Sequence, residues 1–487
     1  MSKRTDILSA FHRHKDKTLR PRSSDGITTE RCRRRGKKPP KEDIPDFSPW
    51  RERCHQFLLF LVISFSVRGL YVFLFPNCCS FDLAGWKEVG NVLLAGGNPY
   101  HLTNKLNYPP LWMQFVFVFQ KISLGLNVPF YEVIKGFLIL AEGLLAGLLY
   151  AALLRFTEAD KAAKWLILGI AINPIAVFQV CQHCHFDVLV GFWNLLAVYM
   201  LLRFQEEHDS HFWLVACLAL GLGTLTKIVP LCLAPLLLLS VRRLKFTDHV
   251  LGVVLLLGPV LLALSIVYVL GPADIETRVL GYRSIPGRFG LTGLFALWGA
   301  KGLLDVWPCV FEIIYGTGWL LLGLWLWSKD TLDKRTLVTI AAASLIVLPT
   351  FGPGSGLHYI YWFLPLLILL HGLAEHRMRM FLTVMYLAAA VAYTLEYALN
   401  FNTYGAFFLD IVQTGPLLKL GLKLSTLKGE TLVTLPLAIL YAGFVAQCGQ
   451  KIGGEMIRDF LVLWRQTHVF HRSERHDGKA AHVFSLK

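Results

Sequence analysis

Residues 56–75 read QFLLFLVISFSVRGLYVFLF, and a run of about 20 such residues crosses a bilayer as a helix. Similar runs begin near nine further positions: Tyr131, Phe186, Phe212, Val250, Trp307, Leu337, Tyr359, Met380 and Leu432. Shorter, proline-marked runs lie at 111–122, 164–180 and 228–240. The chain is 54% hydrophobic over 487 residues, with a mean hydropathy of +0.50, which exceeds the usual soluble domain. The sequence therefore predicts an all-α polytopic membrane protein with ten to thirteen transmembrane helices.

The formal charge of +15 is concentrated at the two ends of the chain. Residues 1–54 hold 16 Lys and Arg against 8 Asp and Glu, and residues 451–487 hold 7 against 4. Lys and Arg mark the cytoplasmic side of membrane proteins, so both tails are predicted to be cytoplasmic and to flank a membrane domain at 55–450. The N-terminal tail is predicted to be disordered, and its basic run 33–38 to attract anionic membrane lipids. No nucleic-acid partner and no cleavable signal peptide are expected.

The sidedness of the loops follows from the first span. With the N-terminus inside, residues 77–110 emerge on the non-cytoplasmic face. Positive clusters at 242–245, 329–335 and 376–379 then read as inside, and the segments 271–304, 351–358 and 399–430 as outside. Between 111 and 240, Arg155 and its neighbours favour the inside, whereas two full spans before them would place them outside. A re-entrant segment or one long, kinked span resolves this conflict.

Asp82, in Phe81-Asp82-Leu83, begins the first external segment. The sequence continues with Gly96-Gly97-Asn98-Pro99-Tyr100 and Tyr108-Pro109-Pro110. A loop that only joined two spans would need neither an acid among Phe, Leu and Trp nor this density of Gly, Pro and Tyr. We therefore interpret this segment as catalytic, with Asp82 as a general base.

Lys227 lies in the apolar stretch Leu225-Thr226-Lys227-Ile228-Val229-Pro230. A charge at the centre of a spanning helix costs about 2.5–3.5 kcal/mol on insertion scales, so the ammonium is expected to face a cavity or a partner. A snorkelling lysine at the membrane interface is the alternative. Glu142 and Glu312 are interpreted as interhelical packing groups.

Three arginines, Arg278, Arg283 and Arg288, fall within eleven residues of an outward segment. Guanidinium groups bind phosphate bidentately, which favours a phosphate clamp over an exposed basic loop. His358 follows a glycine-rich turn on the same predicted face, where it could serve phosphate or sugar binding instead of a structural role.

The fragment Cys181-Gln182-His183-Cys184-His185 has Cys-x-x-Cys spacing and two histidines. A zinc site needs a fourth ligand and a closed geometry that one short loop rarely supplies, so no metal site is predicted and a polar substrate surface is preferred. A requirement for a divalent cation stays open, and no other cofactor is indicated. Asp187 is interpreted as a ligand of the substrate or as a helix cap.

These motifs, with Asn173-Pro174 and His358-Tyr359, resemble in order and spacing those of the GT-C superfamily of membrane glycosyltransferases. Within it, the chain over about residues 55–450 is most similar to the polyprenyl-phosphate-mannose-dependent mannosyltransferases of bacteria. Where that family has Gly-Gln-x-Asn or Gly-Gln-x-Asp, this chain has Gln182-His183-Cys184-His185-Phe186-Asp187.

The resemblance implies a polyprenyl-phosphate-sugar donor, a lipid or glycan acceptor, and transfer at the outer face of a bacterial plasma membrane, or at the endoplasmic reticulum in a eukaryote. Asp82 would deprotonate the acceptor and the sugar would invert. The donor phosphate is assigned to Arg278, Arg283, Arg288, Lys227 and His358. The sugar or acceptor is assigned to Trp86, Asn98, Tyr100, Tyr108, His183, His185, Asp187 and Tyr359.

Two other classes share this architecture. A transporter or lipid flippase also has many spans, intramembrane charges and proline-broken helices, but the sequence shows no convincing internal repeat. An inactive scaffold would keep the fold without the arginines or Asp82.

Overall fold

All regular secondary structure in the described part of the chain is helical. The structure is a computed structural model and describes residues 48–75, 80–241, 244–270, 276–282, 284, 286–329, 331–399 and 427–481. The α-helices are α1 Ser48–Leu74, α2 Phe81–Leu94, α3 Pro99–Leu102, α4 Pro110–Leu126, α5 Phe130–Phe156, α6 Ala159–Leu166, α7 Pro174–Val177, α8 Asp187–Glu207, α9 Ser210–Thr226, α10 Ala234–Leu239, α11 Phe246–Leu270, α12 Gly290–Leu297, α13 Lys301–Ser328, α14 Lys334–Phe351, α15 Leu364–Leu373, α16 His376–Leu399 and α17 Leu427–Ala481. Short π-helical turns cover Ile167–Ala171, Phe178–Gln182 and Glu276–Leu280, and 3₁₀ turns cover Val229–Leu233 and Leu357–Trp362.

Eight of the described helices are long and apolar enough to cross a membrane. The segments Asp160–Ala171 and Pro174–Gln182 form a ninth candidate that is bent by 49°. Three shorter apolar helices are Ser210–Thr226, Val229–Leu239 and Leu364–Leu373. The chain is thus an all-α polytopic membrane protein as predicted, and its count reaches the predicted ten to thirteen only with the short helices included.

The segment that follows the first span, which the sequence predicts to be external, is built of helices rather than of open loop. Ser80 caps α2 by accepting from the Leu83 amide, and Asn98 caps the one-turn α3, where Pro99 occupies the first position. Helices α2 and α4 pack together, and the Gln120 amide donates to Asn91 at 3.0 Å. Asp82 therefore lies in the first turn of a helix, held by a helical pair.

Ion pairs gather at the end of the bundle opposite to Asp187. Helix α8 starts at Asp187 and its 21 residues rise about 30 Å. Near its far end, Glu206 pairs with Arg155 and with Lys334. The end of α5 therefore lies at the end of the bundle that is opposite to Asp187, and the start of α5 lies at the same end as Asp187. Helix α4 packs on α2 and is not among the described helices that are long and apolar enough to cross a membrane.

The bend in the ninth span is held by a buried cation. Arg68 pairs with Glu142, and both side chains are 1% exposed. The same guanidinium donates to the carbonyls of Ala171 at 2.7 Å and Ile170 at 2.9 Å, which the π-helical turn leaves available. Tyr361 donates to the other oxygen of Glu142 at 2.5 Å. Glu142 is thus a packing group as predicted, and the clamp fixes the chain just before the 183–187 segment.

Candidate functional site

Six segments distant in sequence meet at one end of the bundle. They are the start of α2, the turn 183–187 before α8, Lys227 after α9, the described residues Tyr282, Ser284 and 286–289, the turn Leu357–Trp362 and the end of α16. The break between α9 and α10 arises at Lys227, whose extended backbone ends α9 three residues before Pro230. Non-helical backbone inside a membrane protein is tolerated where it is buried in protein or lines a cavity, and this break lies beside the cavity described below.

Asp82 is hydrogen bonded to His183, and its side chain is 33% exposed to the cavity. His183 Nε2 lies 2.9 Å from Asp82 Oδ2, and His183 Nδ1 lies 2.5 Å from the Tyr397 hydroxyl. A neutral imidazole that donates from Nε2 accepts at Nδ1, so Tyr397 donates to His183 and His183 to Asp82. The three groups form one chain of hydrogen bonds.

The charge states of Asp82 and His183 follow from their burial and from the groups that surround them. Burial raises the pKa of Asp82, but the hydrogen bond from His183 and the nearby Lys227 ammonium outweigh it, so the net pKa is lowered. Burial lowers the pKa of His183 below its usual range despite the hydrogen bond to Asp82. At neutral pH, Asp82 is therefore a carboxylate and His183 is neutral.

Lys227 is enclosed rather than snorkelling. Its Nζ lies 2.8 Å from Asp187 Oδ1, and it is 9% exposed. The ammonium also lies within 6 Å of four ring centroids, at 4.6 Å for Tyr359, 4.8 Å for Trp362, 5.5 Å for Phe186 and 5.8 Å for Tyr108. Asp187 starts α8 but makes no capping bond, so the helix-cap interpretation is wrong and its carboxylate instead fixes Lys227.

Two further histidines approach the second oxygen of Asp187. His185 Nδ1 lies 3.2 Å from Asp187 Oδ2, and His358 Nε2 lies 3.9 Å from it. The rings of His183, His185 and His358 are mutual neighbours, with centroids 4.7–5.0 Å apart. Burial lowers the pKa of His358 well below its usual range. His185, Asp187 and His358 are the described residues placed to hold a metal ion.

A cavity of about 130 Å³ lies over these groups. Its lining includes Asp82, Tyr108, His183, His185, Tyr282, Ser284, Arg288, Ser355, His358, Tyr359, Glu396 and Thr434. The buried Ser355 hydroxyl has no hydrogen-bond partner. A second space of about 270 Å³ shares Tyr108, Tyr282, Ser284 and Tyr359 with the first, and leads past Lys227 to the apolar side chains of Val279, Phe311 and Leu348. The site thus joins a polar chamber to an apolar groove.

The predicted phosphate-binding residues are only partly brought together. Arg288 and His358 line the chamber, and Lys227 lines the groove. Arg288 also lies 3.9 Å from Glu396. Arg278 points to the Thr103 carbonyl and does not line the chamber. Arg283 lies outside the described residues.

Some of the residues predicted to bind the sugar or the acceptor line the chamber, and the others pack behind its wall. Tyr108, His183, His185 and Tyr359 line the chamber, whereas Asp187 lies buried behind it. Trp86 is 1% exposed and packs against Trp112 and Phe186, and Asn98 caps α3. Tyr100 donates to the Tyr108 carbonyl at 2.6 Å. Trp86, Asn98 and Tyr100 therefore support the chamber wall from behind.

The sequence interpretation missed Tyr397 and Glu396, which come from the end of α16. Their signal is an acid next to a tyrosine near the end of an apolar run, Thr394-Leu395-Glu396-Tyr397. The cysteines of the Cys181–Cys184 fragment are fully buried, and the Cys184 sulfur lies against the carbonyls of Cys181 and Gln182. The described metal-ligating group contains neither cysteine.

Similarity to known proteins is limited to solved structures. Two crystal structures of ArnT from Cupriavidus metallidurans, one bound to undecaprenyl phosphate and one in the apo state, are 15% and 16% identical to this chain. Each covers 82% of this chain, over 77% and 76% of its own length, with TM-scores of 0.48. The oligosaccharyltransferase of Archaeoglobus fulgidus, tethered with an acceptor peptide containing the NVT sequon, is 12% identical over 82% of this chain and 56% of its own, with a TM-score of 0.39. No protein-family model and no curated protein matches the sequence.

Proposed function

We propose that this protein is a membrane glycosyltransferase that moves a sugar from a polyprenyl-phosphate donor to a hydroxyl of a lipid or glycan acceptor. The observation that carries the proposal is the ionised Asp82, hydrogen bonded to His183 and one-third exposed to a chamber that opens into an apolar groove. A carboxylate facing such a chamber suits a base for a polar substrate, and the groove suits a lipid tail.

Asp82 acts as the general base. It accepts the proton of the acceptor hydroxyl while that oxygen attacks the anomeric carbon and the bond to the phosphate breaks. One displacement inverts the anomeric centre. His183 holds the carboxylate through Nε2, and Tyr397 holds the histidine tautomer through Nδ1.

Cations at the chamber receive the negative charge that grows on the leaving phosphate. The Arg288 guanidinium lines the chamber and the Lys227 ammonium stands where the chamber meets the groove, while the neutral His358 ring lines the chamber as a hydrogen-bonding group. A fixed positive charge in a water-poor site stabilises such a transition state without reorganisation. Because lipid phosphate is already a good leaving group, no general acid is required.

The apolar groove adjoins a larger apolar space that suits a prenyl tail. Phe311 lines both the groove and a larger space of about 670 Å³ between α13, α14 and α17, whose lining is mainly apolar and aromatic. Ser355, Tyr108 and Tyr359 offer hydroxyls to the sugar. The sequence resemblance favours mannose as the sugar, the outer face as the side of transfer, and the bacterial plasma membrane as the location.

The test is transfer of radiolabelled mannose from polyprenyl-phosphate-mannose to a pool of lipid and glycan acceptors. Membranes that contain the chain are compared with membranes that lack it. Incorporation that depends on the chain supports the proposal. If mannose fails, other polyprenyl-phosphate sugars are tested, and failure with all of them would favour the carrier interpretation.

A further inference from the structure

Three side chains at and just behind the chamber wall, His185, Asp187 and His358, present metal-ligating atoms close to one another. His185 Nδ1 and Asp187 Oδ2 are both buried and both lack a hydrogen bond, although they lie 3.2 Å apart. His358 contributes Nε2, and the three atoms lie within 4.8 Å of one another. Two unpaired polar atoms buried side by side are costly unless something binds them.

The spacing suits one metal ion. Nitrogen and oxygen ligands lie about 2.0–2.2 Å from zinc, which places neighbouring ligands about 3.0–3.5 Å apart. The separations of 3.2 Å and 3.9 Å from Asp187 Oδ2 are close to this, and all three ligand atoms lie within 4.8 Å of one another, so binding one ion requires the two histidine rings to move closer together. Both histidines are neutral ligands if their free nitrogens face the ion.

The ligand set also indicates which ions fit. Two imidazoles and one carboxylate suit divalent transition ions such as Zn²⁺, Co²⁺ or Mn²⁺, whereas Ca²⁺ prefers oxygen ligands alone. Three protein ligands leave a coordination position open, as in catalytic rather than structural zinc sites. His358 also lines the chamber, so the open position lies toward the substrate.

The positive charge of Lys227 weakens the binding of a metal ion at Asp187. Its ammonium lies 2.8 Å from Asp187 Oδ1, so this carboxylate would be shared between two cations. Repulsion between them lowers metal affinity, and an anionic phosphate beside them restores it. By linkage, each of the two ligands then raises the affinity for the other.

We infer that His185, Asp187 and His358 form a binding site for one divalent transition-metal ion whose open position receives an oxygen of a phosphate-bearing substrate. The inference that a metal ion binds here rests only on the positions of His185, Asp187 and His358. Only the identity of the bound oxygen rests on the proposed function.

The experiment measures cobalt binding to the full chain in lipid nanodiscs after chelator treatment. Visible absorption of Co²⁺ and metal content per chain are recorded with and without polyprenyl phosphate, and Zn²⁺ is then added as a competitor. The variants are His358→Asn and His185→Asn. His183→Asn is the matched control, because His183 is an adjacent histidine that pairs with Asp82 instead.

The wild type and His183→Asn are expected to bind one Co²⁺ per chain, tighter with polyprenyl phosphate, whereas His358→Asn and His185→Asn lose it. Lys227→Gln is expected to bind cobalt at least about tenfold more tightly, since it removes the competing charge. A misfolded protein could not produce that gain. Absence of stoichiometric cobalt in the wild type with polyprenyl phosphate present, or equal binding by His358→Asn, would overturn the inference. Metal binding without sugar transfer would instead count against the proposed function alone.

Discussion

Replacement of Arg68 by methionine tests the clamp that holds the broken span. The change leaves Glu142 charged and buried, with Tyr361 as its remaining partner. Removal of one member of a buried ion pair costs about 3–5 kcal/mol. The carbonyls of Ile170 and Ala171 also lose their donor, at about 1 kcal/mol or more each. We expect a loss of at least about 5 kcal/mol in the free energy of unfolding.

The assay is reversible unfolding of the full chain by sodium dodecyl sulfate in mixed micelles, followed by circular dichroism. Arg335→Met is the matched control, because Arg335 pairs with Glu375, which is 81% exposed, and such pairs contribute about 0–1 kcal/mol. The double variant Arg68→Met/Glu142→Gln is expected to be more stable than Arg68→Met, since no unpaired charge remains. If Arg68→Met were no more harmful than Arg335→Met, or if the double variant were the less stable, the reasoning would fail.

Three further predictions concern the site and the turn that carries His358, and the third has a matched control. Tyr397→Phe removes the hydroxyl that donates a hydrogen bond to His183. The transfer rate should fall about tenfold, as expected for the loss of about 1.4 kcal/mol of transition-state stabilisation. Binding of the polyprenyl-phosphate-sugar donor, measured in nanodiscs, should be unchanged. The transfer rate should stay level near neutral pH and decline only below pH 6.5. The pKa of His183 is lowered below its usual value of 6.5, so its neutral form is lost only when the pH falls through this lower pKa. A pH profile of the transfer rate with an acid limb centred above 6.5 would contradict this prediction. Gly191→Ala would place a Cβ 2.6 Å from the Tyr361 carbonyl and displace the turn that carries His358, lowering stability by about 1–3 kcal/mol in the same unfolding assay. Gly136→Ala, with nothing within 4 Å, should instead stabilise its helix by about 0.5–1 kcal/mol.

The sequence predicted the all-α membrane class because long apolar runs permit little else. It singled out Asp82, since an acid beside a span is expensive and therefore informative. It did not reveal that the segment after Asp82 is helical, because its turn residues lie only between the helices: Gly96, with φ +77°, follows the end of α2, and Asn98 and Pro99 start α3. The 111–122 run was ambiguous because it forms most of α4, a 17-residue helix that packs on α2 and carries many apolar residues.

The contacts between distant segments could not be read from spacing. Lys227 and Asp187 are 40 residues apart, and Tyr397 reaches His183 across 214 residues. The metal-binding group proposed above could not be predicted from the sequence for the same reason. The local fragment lacks enough ligands in sequence, and the third donor, His358, comes from a turn that only the tertiary fold brings near.

The central claim is that Asp82 is the base of a glycosyl transfer. The most direct measurement is single-turnover transfer from polyprenyl-phosphate-mannose by purified chain in liposomes, comparing wild type, Asp82→Asn and the exposed matched control Asp305→Asn. Asp82→Asn keeps the volume and removes the proton acceptor, so we expect no transfer, unchanged donor binding and normal folding, with Asp305→Asn as active as the wild type. Transfer by Asp82→Asn at the wild-type rate would contradict the claim.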